Sequence, residues 1–182
     1  MIVIAAAVIT GCKGKEKQKT ISTSEKEVEI PCSGSNYFTD NKAFRANSSG
    51  ESMDMVTAKK KALANARAEL AQSISTTVKV VTDNYVNSRE MNNKEDIEER
   101  FESLNREVVD QTLSGVRTIC EKNVKTGNNT YKTYVAIELS ADELVTKYNE
   151  RLSKDERLKI DYDYEKFKDT FNQEMEKRAK GN

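Results

Sequence analysis

The sequence predicts an α+β domain: an alanine-rich helix packed on a small antiparallel sheet with a C-terminal hairpin, followed by a helical C-terminal extension. Three observations carry this. Apolar residues recur at three- and four-residue steps from Met55 to Ile74, alternate strictly with polar ones from Tyr131 to Leu139, and return to helical spacing between Ile160 and Met175.

The chain opens on an apolar run, Met1 to Thr10, that ends in Gly11-Cys12 and turns at once to Lys13-Gly14-Lys15-Glu16-Lys17. About ten apolar residues fall short of the roughly 20 that cross a bilayer. A buried strand would not usually end at Gly-Cys before such a charged stretch. Val8-Ile9-Thr10-Gly11-Cys12 looks instead like the lipobox closing a bacterial lipoprotein signal peptide, with Cys12 lipidated and first in the mature chain. Signal peptides begin with a positively charged region. Nothing charged precedes Cys12, which implies a true start further upstream. Residues 1–11 are therefore set aside as a signal remnant.

Residues 12–30 are rich in Lys, Glu, Ser and Thr, with apolar side chains only at Ile21, Val28 and Ile30. Such a composition cannot bury enough surface to order itself and reads as a tether carrying the lipidated Cys12. The folded domain is expected over residues 31–152. Ala43 to Ala46 supplies a short first strand before a turn at Asn47-Ser48-Ser49-Gly50.

A helix follows, with Met55, Ala58, Ala62, Leu63, Ala66, Leu70 and Ile74 on one stripe. Its many alanines would let the helix axis lie close to a sheet. Lys59-Lys60-Lys61 fans out around the axis as a solvated face. From Ile74 to Val86 the β-branched residues alternate, predicting that the helix runs almost directly into a strand.

Ile97, Phe101, Leu104 and Val108 predict a second helix, whose end could be drawn into the next strand. That strand is expected from Leu113 to about Val124, with a turn at Gly127-Asn128-Asn129 and a hairpin partner over Tyr131–Leu139. Ser140-Ala141-Asp142-Glu143 is a capping box opening a helix with Leu144, Tyr148 and Leu152 inward. Ser153-Lys154-Asp155-Glu156 repeats the signature. Residues 153–182 then form an amphipathic helix whose Tyr164, Phe167, Phe171 and Met175 either pack on the domain or dock on a partner or a second copy.

Composition excludes more than it assigns. With 30 basic and 30 acidic residues the net charge is zero, so no field recruits nucleic acid. The chain has no His and no Trp. This removes Ser-His-Asp and Cys-His nucleophiles and His-ligated zinc. Scattered carboxylates could in principle hydrolyse a glycoside without His, but no pair is singled out, and no metal loop is evident. No catalytic residue, metal or cofactor is expected. With Cys12 spent on lipid, Cys32 and Cys120 remain as an even pair in an exported protein, expected to form a disulfide, the alternative being two free thiols.

The string Ala58-Lys-Lys-Lys-Ala62-Leu-Ala-Asn-Ala66-Arg67-Ala68-Glu69-Leu70-Ala71-Gln-Ser-Ile74, followed by Gln111-Thr112-Leu113-Ser114-Gly115-Val116 and a Tyr-rich hairpin, resembles the bacterial Lpp-twenty lipoprotein family. The resemblance spans roughly residues 43–150. It implies a small α+β domain held by lipid in the cell envelope, without an established enzymatic activity. What transfers is structural: Ala62, Ala66, Leu70 and Ile74 as the helix stripe, with Arg67 beside it.

Taken together, these readings lead to an expectation of a lipid-anchored outer-membrane lipoprotein facing the periplasm. It would act as a non-catalytic structural or interaction module for other envelope proteins or itself. The alternative is a small periplasmic or surface binding protein for a peptide, glycan or lipid, using its tyrosines.

Overall fold

The computed structural model describes residues 28–88, 94–155 and 162–181. Its elements, in chain order, are β1 (Ala43–Ser52), α1 (Met55–Asn87), α2 (Lys94–Thr112), β2 (Arg117–Lys125), β3 (Tyr131–Ser140), α3 (Ala141–Leu152) and α4 (Tyr164–Gly181). The strands form one antiparallel sheet in the order β1-β3-β2. The fold is α+β, with α1 laid along β1 and β3.

The expected hairpin is present. Tyr131 pairs with Lys125 and Ile137 with Thr118. Asn129 takes φ 61° in the connecting turn, which the Thr126 and Thr130 hydroxyls close at 2.6 Å. The strand begins later than its sequence suggested, because Leu113–Gly115 forms a single 3-10 turn first. At the next boundary the Ser140 hydroxyl accepts the Glu143 amide and caps α3.

Two expectations are corrected. Asn47–Gly50 is not a turn: β1 continues through it, with Asn47 opposite Ala136 and Gly50 opposite Thr133. Residues 74–86 are not a strand. The buried positions Ala58, Ala62, Ala66, Leu70, Ile74, Val78, Val81 and Tyr85 keep one unbroken helical spacing across the whole of α1. No Gly or Pro lies between residues 51 and 114 to break the helix. Thr76 and Thr77 turn their hydroxyls back to the carbonyls of Gln72 and Ser73, each 2.8 Å away. The burial of the stripe overrides β propensity, as tertiary context commonly does.

The C-terminal stripe belongs to the same core. Phe167, Phe171 and Met175 are each at most 1% exposed. Phe171 meets Phe44 of β1, while Phe167 lies between Tyr85 of α1 and Tyr148 of α3, at centroid distances of 6.3, 5.5 and 5.7 Å. The start of α4 is tied to the end of α1: the Asp163 amide donates to the Tyr85 hydroxyl and Lys166 Nζ to the Ser88 carbonyl. Residues 164–181 are thus part of the domain rather than an extension beyond residue 152.

Candidate functional site

Each expected site residue has a definite place. Cys12 lies outside the described residues, as does Glu156 of the second capping signature. Cys32 and Cys120 stand at disulfide distance, with 5.6 Å between their Cα atoms across 88 positions of sequence. The pair pins the segment entering the domain to β2. The Tyr164, Phe167, Phe171 and Met175 stripe is corrected as a docking surface: its last three side chains fill the core, and Tyr164 is half-buried beside them.

The segment after Cys32 caps the free edge of β1. Thr39 Oγ1 accepts the Arg45 amide and donates to its carbonyl, and the Asp40 carboxylate accepts the amides of Lys42 and Ala43. From the other side Asn65 Nδ2 donates to the Ser49 carbonyl and Lys61 Nζ to that of Glu51. An exposed strand edge is a template for unwanted pairing, and these groups occupy it.

Arg45 is the electrostatic centre of this face. Its Nε donates to Glu138 at 2.7 Å, and its Nη1 donates to Asp40 at 2.7 Å and to the Phe38 carbonyl at 2.8 Å. Arg117 reaches the other oxygen of Glu138 at 2.9 Å. Burial alone would raise the Asp40 carboxyl, but bonds from Arg45 and the Lys42 and Ala43 amides hold it below the usual aspartate value. Burial likewise opposes the Arg45 charge, and its two carboxylate partners outweigh that and strengthen it. No spacing in the sequence announces this network, since Arg45 and Glu138 are 93 residues apart.

The expected tyrosines divide. Tyr148 is fully buried, donates to Asn105 at 2.7 Å, and has its hydroxyl pKa pushed up by desolvation. Tyr134 stays half-buried on the outer sheet face with Lys132 Nζ 5.0 Å from its ring centre. Two surface cavities are lined mainly by polar residues, the first of them also by Phe38. One, of about 400 Å³, lies between β1, α1 and the end of α4 and includes Arg45, Asn47, Ser73 and Arg178. The other, of about 590 Å³, lies between α1 and α2.

Among the described residues no three acidic, Cys or His side chains are grouped to hold a metal ion. Among those residues, too, no helix is long and apolar enough to cross a membrane. Neither a scan against protein-family models nor a search of curated proteins returns a match to this chain.

Proposed function

We propose that the chain is a lipid-anchored bacterial envelope lipoprotein of Lpp-twenty type. Its folded domain is a non-catalytic structural or interaction module, held in the outer membrane through Cys12 and facing the periplasm. The observation that carries this reading is the distribution of the three cysteines. One ends an apolar run in a lipobox pattern, and the other two meet at disulfide distance. Disulfides persist in exported proteins and are rare where thiols are kept reduced. The resemblance over residues 43–150 supports the same assignment.

The burial of Phe167, Phe171 and Met175 removes the aromatic face of α4 as an interaction surface. What remains open is the outer sheet face around Tyr134 and the clefts beside α1. A second reading, a small binding protein for a peptide, glycan or lipid, draws on the half-buried Tyr134 of that sheet face.

The test is cell fractionation with intact mass, comparing wild type and Cys12→Ala. An acylated chain starting at Cys12, recovered with outer membranes and lost in the variant, is expected. Crosslinking in intact envelopes would then identify the partner or a second copy. A soluble, unacylated protein would refute the anchor and with it the compartment.

A further inference from the structure

The two edges of the sheet are finished differently. In β1 the backbone groups of Arg45, Ser49 and Glu51 point away from β3 and are met within the chain by Thr39 Oγ1, Asn65 Nδ2 and Lys61 Nζ. The same alternation identifies the outward groups of β2. In the turn the Thr126 amide donates to the Thr130 carbonyl at 2.8 Å, so these two residues form a hydrogen-bonded pair. Counting back along the register, Val124 and Lys122 bond Lys132 and Tyr134, whereas Glu121, Asn123 and Lys125 turn their N–H and C=O groups to the free edge. Among the described residues no strand or side chain meets those groups. No residue of β2 is buried, and Val124 is 39% exposed.

An uncapped edge is a template for another strand, and the charges of β2 select a second copy. A two-fold antiparallel pairing sets outward groups against outward groups. Past the bulge at Thr118/Cys120, centring it on Glu121, Lys122 or Lys125 places that residue opposite itself, and like charges directly opposite are destabilising. Centring on Val124 pairs only residues 123–125 of the strand. Centring on Asn123 pairs residues 121–125 throughout and sets Glu121 opposite the partner's Lys125. Both side chains lie on the face toward α1, where Lys59 holds the Glu121 carboxylate at 2.9 Å. The zero net charge adds no repulsion between copies.

We propose that the chain self-associates through β2, edge to edge about a two-fold axis at Asn123, into one continuous sheet with Glu121 of each copy facing Lys125 of the other. The inference rests on the reading of the domain as an interaction module, and not on the lipid at Cys12.

The experiment is sedimentation velocity of the full chain in a density-matched nonionic detergent, in which acylation leaves the readout unchanged. A concentration-dependent dimer is expected. Glu121→Lys and Lys125→Glu each set like charges opposite and should weaken the dimer about tenfold or more. The double variant exchanges the pair and should recover most of the lost affinity. Such recovery separates a bond between copies from loss of the Lys59 contact, which the double variant does not restore. Asn123→Cys should give a disulfide-linked dimer on oxidation, since Cα atoms in such a pair stand about 5.5 Å apart.

The proposal is overturned by a chain that stays monomeric, by a dimer indifferent to the single reversals, or by a double variant as weak as they are. It is overturned too if Asn123→Cys dimerises without crosslinking, or links in intact envelopes to a different protein in place of a second copy. An acylated monomer would remove this interface and leave the anchor standing.

Discussion

Gly50→Ala tests the closeness of α1 to the sheet. A methyl group at this position would stand 2.5 Å from the Ala58 carbonyl oxygen, 2.5 Å from the Ala62 amide nitrogen and 2.7 Å from Lys61 Cβ. Two of these three atoms are helix backbone, so no change of rotamer relieves the clash. Ordinary contact begins at 3.4 Å, and α1 must therefore retreat from β1 by about 0.9 Å. The retreat opens a gap beneath Ala58, Ala62 and Ala66, which are fully buried against the strands. A gap of 0.5–1 Å forfeits roughly a quarter to a half of each dispersion contact it interrupts. Overpacking a core costs about 1–3 kcal/mol, and an obstacle made of backbone places this case near the top, at about 3 kcal/mol.

The assay is urea unfolding followed by circular dichroism, with Gly127→Ala as control, since nothing lies within 4 Å of that added methyl. At a slope of about 2 kcal/mol per molar urea the Gly50→Ala midpoint should fall by about 1.5 M. A midpoint within about 0.25 M of the control, equivalent to about 0.5 kcal/mol, would refute the packing argument.

The remaining predictions follow from burial and charge. Phe171→Ala removes a ring that is 1% exposed and should cost about 3–5 kcal/mol in the same assay, whereas a ring on a projecting helix would cost almost nothing. Replacing Cys32 and Cys120 by serine releases a closure over 88 positions and should destabilise the fold by about 4 to 5 kcal/mol, read as a lowered Tm that reductant reproduces in wild type. The folded-state pKa of Asp40 lies below its ordinary 3.8, so its stabilisation is complete above that value and is lost as pH falls through it. The stability gap between wild type and Asp40→Asn should therefore hold steady near neutrality and shrink below about pH 4. A gap independent of pH would contradict that assignment.

How much of this was legible in the sequence depends on how far apart the determinants lie. The hairpin and α3 are written locally, in a period of two, a turn rich in Gly and Asn, and a capping serine. The first half of α1 is equally local, because its alanine stripe has a single reading. Residues 74–86 support two readings, as Ile74, Val78, Val81 and Tyr85 step by three or four while Ile74, Thr76, Val78 and Val80 step by two. Only the partners of the first set decide between them. The Arg45–Glu138 bond and the edge caps on β1 join positions far apart in the chain, and no spacing reveals them.

The geometry of α1 explains both the misread segment and the fate of α4. Gly50 faces Ala58 and Ala62, Ser49 bonds Asn65, and Arg45 and Asn47 share a cavity with Ser73, so α1 runs antiparallel along β1. Ten strand residues extend about 33 Å, and 33 helical residues extend about 50 Å. Roughly the last eleven residues of α1 therefore overhang the sheet. Their apolar face, Val78, Val81, Tyr85 and Val86, is fully buried all the same. Its cover comes from Phe101 of α2 and Phe167 of α4, whose rings pack edge-on against Tyr85 at 6.2 and 5.5 Å. The aromatic stripe of α4 is thus consumed by the overhang, and α2 is drawn alongside the same stretch. That juxtaposition sets Lys79 and Asp83 opposite Glu98, Glu99 and Glu102, so the cleft between α1 and α2 is a direct consequence of a helix longer than the sheet it covers.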